Sequence, residues 1–159
     1  YHFHVYFFQN NEQSVADARR MQDAVLDAVR RKDLVVVTSG MTQDDLPGLE
    51  TCEPTPNFNL GPVGPHPIGS FEIWVPYEHL AAAMSLVMLN RGETSVLLHP
   101  LSDNCVEDHV GRAMWLGPSL PLDPTLLRAH DADCDGPQYR GLGLGYSRRE
   151  EAAESLADA

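Results

Sequence analysis

The chain has 159 residues, 43% of them hydrophobic, enough to enclose one substantial core. Its formal net charge of −12 argues against nucleic acid and anionic membranes as partners. No apolar run reaches the ~18 residues that span a bilayer and no leader-like segment opens the chain, so a soluble, cytoplasmic protein is expected. Cys52, Cys105 and Cys134 form no close pair, which fits a reducing compartment better than a disulfide framework or a thiolate zinc site. The chain does not begin with Met, so a few leading residues are expected to be missing. Lys32 is the single lysine against ten arginines, a bias that suggests a GC-rich genome.

Residues 1–8 alternate, with Phe3, Val5 and Phe7 on one face and His2, His4, Tyr6 and Phe8 on the other, as in a strand. After a turn at Gln9-Asn10-Asn11, Ser14 is placed to cap a helix over 15–32. Its stripe is Val15, Ala18, Met21, Val25, Ala28 and Val29. Arg30, Arg31 and Lys32 suit the negative end of its dipole. The β-branched run 34–38 predicts a second strand. The Gly-, Pro- and Asp-rich segment 39–64 has no clear pattern, except that 57–60 is expected to pair with the next strand as a hairpin.

Alternation resumes over 69–75: Phe71, Ile73 and Val75 against Ser70, Glu72 and Trp74. Pro76 ends this strand and presets a helix over 77–90, with Leu80, Met84, Val87 and Met88 as its stripe and Gly92 just beyond it. The fourth strand, 94–100, places Ser95, Leu97 and His99 opposite Val96 and Leu98. A short helical turn is expected within 108–115 and an edge strand at 120–122. The order β-α-β-β-α-β predicts an α+β, ferredoxin-like sandwich with an extra C-terminal strand. Residues 1–128 form its single catalytic domain, and 129–159 a partly irregular or helical extension. Asp131, Asp133 and Asp135 lack the terminal Glu of an EF-hand. Gly141, Gly143 and Gly145 do not bridge a strand and a helix as a dinucleotide fingerprint does.

In this topology the strands lie in the order 4-1-3-2. Strands 1 and 3 are expected to run parallel, with strand 4 antiparallel to strand 1. The apolar faces must cover the helices, so His4, Glu72 and His99 project together from the open face of three adjacent strands. Two histidines and a carboxylate on one face suit non-haem Fe(II), leaving coordination positions for substrate and O2. His66, in the rigid Gly64-Pro65-His66-Pro67 loop, is the rival third ligand or a substrate contact. His66 and His109 are the candidate acid/base residues. His2 is assigned a supporting place, and His79 and His130 the surface.

Several segments carry a resemblance: His4-Val5-Tyr6-Phe7, Gly64-Pro65-His66-Pro67-Ile68-Gly69-Ser70-Phe71-Glu72, Asn90-Arg91-Gly92, Ser95-Val96-Leu97-Leu98-His99-Pro100-Leu101 and Asp108-His109 through Ala113-Met114-Trp115-Leu116-Gly117. In this order the set resembles the DOPA dioxygenase family of small ring-opening enzymes. The resemblance implies Fe(II), O2 and a catechol substrate, L-DOPA or close kin, cut at the 2,3 or the 4,5 bond to a muconic semialdehyde. It also implies a homodimer joined partly through the extra strand. The arginine-rich composition leans to the antibiotic pathways in which related enzymes act. Tyr6 and Trp74 are candidate substrate contacts. Arg112, or with less support Arg91, would anchor the substrate carboxylate through a guanidinium fork. Two rivals remain: a zinc hydrolase or isomerase on the same ligands, and a dimeric small-ligand-binding domain without catalysis.

Overall fold

The structure, a computed structural model, describes residues 1–37, 58–102, 104–127 and 144–145. It is a ferredoxin-like α+β sandwich. Strand β1 (His2–Phe7) is followed by helix α1 (Glu12–Arg30), β2 (Gly69–Trp74), α2 (Leu80–Asn90), β3 (Ser95–His99), the short α3 (Cys105–His109) and β4 (Met114–Leu116). The sheet is antiparallel in the order β2-β1-β3-β4. Most of the segment 39–64 and nearly all of the tail from 129 lie outside the described residues, as do Cys52, Cys134, His130 and the aspartates of the tail.

The apolar alternation places Phe3, Val5, Phe7, Phe71, Ile73, Val96 and Leu98 on one face, all at most 5% exposed. Ala18, Met21, Val25 and Ala28 of α1 and Ala83 and Val87 of α2 close over that face. Each fully buried Val, Ile or Phe contributes roughly 1.5–3 kcal/mol of transfer free energy, so this layer dominates the stability.

The expected parallel pairing of 1–8 with 69–75 is corrected: β1 and β2 run antiparallel, with His4 opposite Glu72 and His2 opposite Trp74. The crossover through α1 leads to 34–37, not to β2. The hairpin return then reverses the direction of β2 beside β1. The predicted second strand is reduced, among the described residues, to one antiparallel bridge between Val37 and Trp74. Asn59 bridges Ser70, the hairpin contact expected near 57–60.

The extra strand is β4 at Met114–Leu116, paired with β3, and not 120–122. The Pro118 and Pro121 that flank Leu120 offer no backbone N–H to a ladder. Helix α1 starts earlier than expected: Asn11 caps it by accepting from the Ser14 N–H at 3.0 Å, while the Ser14 hydroxyl accepts from the Phe8 N–H at 2.9 Å. The second predicted helix opens as a 3-10 turn at Tyr77–His79 before α2 begins. Met88, placed on the stripe by spacing, is 61% exposed. Cys105 is disulfide-bonded. This corrects the expectation drawn from cysteine spacing, since spacing carries no information on long-range pairing. No helix among the described residues is long and apolar enough to cross a membrane.

Candidate metal centre and substrate pocket

The second face of the sheet carries the polar members of the alternation: His2, His4 and Tyr6 from β1, Ser70, Glu72 and Trp74 from β2, His99 from β3 and Trp115 from β4. It is not an open face. All six residues of β1 are buried, as are His66 and His109, because the 61–68 loop, α3 and the segment after β4 cover it.

Register fixes who meets whom. His99 lies opposite His2 and one diagonal step from His4, within reach of long side chains on neighbouring strands. The Nε2 atoms of His4 and His99 are 3.0 Å apart. The His4 ring is also 4.2 Å from that of His66, and the His99 ring 4.0 Å from that of His109. His66 arrives on a tight turn closed by its N–H donating to the Val63 carbonyl at 2.8 Å. Five histidines therefore share one buried cluster. Two triads within it, His2–His4–His99 and His4–His66–His109, have ligand atoms that all lie within 4.8 Å of one another. His4 belongs to both.

Hydrogen bonds set the tautomers. A carbonyl oxygen only accepts, so His99 Nδ1 donates to Pro100 at 2.6 Å and His109 Nδ1 donates to Cys105 at 2.8 Å. In the neutral rings each Nε2 then carries the lone pair. Burial is the first cause that keeps the rings neutral. It lowers the pKa of His2, His4, His66, His99 and His109; neighbouring imidazoles add to the effect at the last four, while Glu72 opposes it at His2. His66 falls to about 4. Neutral imidazoles with inward lone pairs are the form that binds a metal.

The fit to an ion has two further supports. Two nitrogens each about 2.0–2.1 Å from one ion, at a right angle, would stand about 3 Å apart, the spacing of His4 and His99. Among the described residues, His2 Nε2 and His4 Nδ1 are buried with no hydrogen-bond partner. Such orphaned groups cost about 1–3 kcal/mol each unless something binds them.

Glu72 stands to one side. Its oxygens are 3.5 Å from His2 Nε2 and 3.9 Å from His4 Nδ1, and neither convergent triad includes it. Burial pushes its carboxyl up, but the adjacent His2 and the Trp74 indole N–H outweigh burial and hold it near 2. Trp74 donates to Glu72 at 3.3 Å and so abuts the carboxylate. Tyr6 shares a 2.7 Å hydrogen bond with His66 Nδ1, and its ring stacks on Trp115 at 5.5 Å. Burial raises the Tyr6 pKa, keeping the phenol protonated.

Arg112 Nη1 donates to Ser102 Oγ at 2.7 Å and to Asp108 Oδ1 at 2.9 Å. Asp108, 1% exposed, also accepts from the Ser102 N–H at 2.6 Å, which ties α3 to the end of β3 and holds His109 beside His99. Arg91 serves backbone carbonyls, Thr94 at 2.8 Å among them. His79, assigned to the surface, is partly buried, with its Nδ1 accepting from the Val35 N–H at 3.4 Å.

Beside the cluster is a cavity of about 260 Å³ lined by His109, Val110, Trp115, Leu120, Leu122 and Pro124. The Asp123 N–H donates to the Pro65 carbonyl at 3.0 Å, fastening this wall to the His66 loop. Leu126 packs so close to Gly64 that a Cβ there would lie 2.3 Å from Leu126 Cδ1. Sequence reasoning missed Trp115 and the 120–124 wall. Trp115 pairs with Leu97, and that register shows only once β4 is placed. It also gave His2 a supporting place, whereas the structure brings its ring into a triad with His4 and His99; sharing a face with His4 at a spacing of two was the signal for that convergence.

The chain is similar to several known proteins. A DOPA 4,5-dioxygenase of Amanita muscaria is 40% identical over 147 residues, 92% of this chain and 57% of its own. An uncharacterized 21.2 kDa protein of Botryotinia fuckeliana is 31% identical over 137 residues, 79% of this chain and 61% of its own. The chain thus spans little more than half the length of these curated relatives. A crystal structure of a proposed dioxygenase from Nostoc punctiforme superposes with a TM-score of 0.54 at 25% identity, covering 78% of this chain and 86% of that one. The model of the Dopa 4,5-dioxygenase family matches residues 1–126, from the histidines of β1 to the wall of the cavity, and the chain belongs to that family.

Proposed function

We propose that this chain opens the aromatic ring of a catechol by an extradiol dioxygenase reaction, with L-DOPA as the first substrate to test and the 4,5 bond as the bond cut. The observation that carries the reading is the buried histidine cluster, with inward lone pairs, set against a cavity whose wall it shares through His109. The family and the Amanita relative supply the substrate class and the bond.

His4 and His99 would hold the metal with His2, which completes their convergent triad, in the third place that alternation gave to Glu72, and with His66 beside them. Fe(II), when bound, supplies the redox chemistry that lets a catechol react with dioxygen. Glu72 keeps its negative charge beside His2 and His4 and balances cationic character in the cluster. His109, its Nδ1 proton held by the Cys105 carbonyl, presents Nε2 to the cavity to take a catechol hydroxyl proton and return it as the ring opens. Tyr6 fixes the orientation of His66. The net reaction adds both atoms of O2 and needs no other reductant. Residues 1–128 would form the catalytic domain, and the subunits would pair partly through β4.

The test is anaerobic reconstitution with Fe(II), then addition of L-DOPA and oxygen. A yellow product with one O2 consumed per L-DOPA is expected, and the zinc-loaded protein should consume none. Absence of oxygen uptake with every catechol tried, in protein shown to hold iron, would overturn the reading.

A further inference from the structure

The cavity beside the cluster has a composition that bears on which catechols it accepts. None of its six lining residues carries a formal charge when His109 is neutral: Val110, Leu120, Leu122 and Pro124 are aliphatic, and Trp115 adds an indole. The nearest arginine in sequence, Arg112, directs Nη1 to Ser102 and Asp108, and Asp108 is itself almost wholly buried. At about 260 Å³ the cavity sits just below the ~300–1,000 Å³ typical of ligand sites, room for one ring and a short substituent. An ammonium and a carboxylate lodged against these aliphatic walls would lose hydration with no ionic partner among the described lining residues in return.

We propose that the 120–124 wall makes this a pocket for the ring and an apolar substituent, with Leu122 and Trp115 as its specificity-determining residues, so that uncharged 4-alkylcatechols are bound at least as well as L-DOPA. This rests on the catechol reading and deepens it. The ring lies against Trp115 with its hydroxyls toward His109. A short alkyl chain lies along Leu120, Leu122 and Pro124, while the amino-acid group of L-DOPA must turn out toward the mouth of the cavity.

The experiment is calorimetric titration of the iron-loaded protein, kept anaerobic so that binding is read without turnover, with L-DOPA and with 4-propylcatechol. The expected result is a Kd for 4-propylcatechol equal to or lower than that for L-DOPA. Leu122→Ala should weaken 4-propylcatechol roughly tenfold, the scale on which a pocket senses one or two methylene contacts, and L-DOPA less. Trp115→Leu should weaken both. L-DOPA binding tenfold more tightly than 4-propylcatechol would overturn the proposal, since it requires a charged anchor in the site. So would a Leu122→Ala variant that binds 4-propylcatechol as the parent does, or a protein that binds neither ligand. Oxygen uptake with L-DOPA, measured separately, decides whether the ring-opening reading survives any of these results.

Discussion

At the scale of single residues, the site turns on His4. It is common to both convergent triads, so His4→Ala should leave neither intact. Metal analysis should show iron affinity reduced by more than the roughly 10–100-fold that losing an outer partner costs. Full iron content in that variant would remove His4 from the ligand set. Tyr6 is such an outer partner, and Tyr6→Phe deletes only the 2.7 Å bond to His66. Turnover is expected to fall by about 10–100-fold with the circular dichroism spectrum unchanged. The convergence of His4, His66, His99 and His109 on one cluster was legible in the sequence, because alternation and spacing place side chains on faces. Whether Glu72 or His66 joins the convergent nitrogens was not. It depends on side-chain reach over a fraction of an ångström, which period-two reasoning does not resolve.

At the scale of elements, the turn that closes α1 runs, just beyond the Arg31 cap, through Lys32, whose φ of 63° lies in the left-handed region that favours glycine. Lys32→Gly should therefore stabilise the fold by roughly 0.5–1 kcal/mol, read as a higher urea midpoint at unchanged slope. The junction of β3 and α3 behaves in the opposite sense. Asp108→Ala deletes the acceptor of the Ser102 N–H and hydroxyl and of Arg112, and a loss of about 2–3 kcal/mol is expected from the same measurement. The strands at 1–8, 69–75 and 94–100 and both main helices were legible from periodicity. The direction of β2 relative to β1 was not, because alternation is the same in either direction. Nor was β4, whose three residues are too few to show a period.

At the scale of the whole molecule, five buried neutral histidines make the metal-free fold sensitive to acid. Their pKa values are lowered on folding, so below the unfolded value of 6.5 the unfolded chain binds protons that the native cluster refuses. Stability is complete above that value and declines as pH falls toward the folded values. His66 alone, at about 4, accounts for roughly 3 kcal/mol across that window, against the ~5–15 kcal/mol that holds a typical domain together. The other four act in the same direction. The metal-free protein should lose its near-ultraviolet dichroism between pH 6.5 and 4, and bound iron should move the transition to lower pH. A native spectrum at pH 4 without metal would contradict the assignment of neutral rings. Glu72, held near 2, contributes stability that is present above its unfolded value of 4.5 and lost only below it, so the histidines set the upper edge.

Strand β1 is central in the sheet and supplies His4, whose ring meets that of His99, 95 positions later in the sequence. During synthesis the first of these histidines leaves the ribosome long before the second has been joined to the chain. The two cannot act together until the longest-range pairing of the sheet has closed, and pairing of this kind is slow. Iron captured earlier would meet isolated imidazoles with little hold on it. Metal loading should therefore follow the synthesis and pairing of β3, and a pulse of iron given to nascent chains still lacking β3 should label almost none of them.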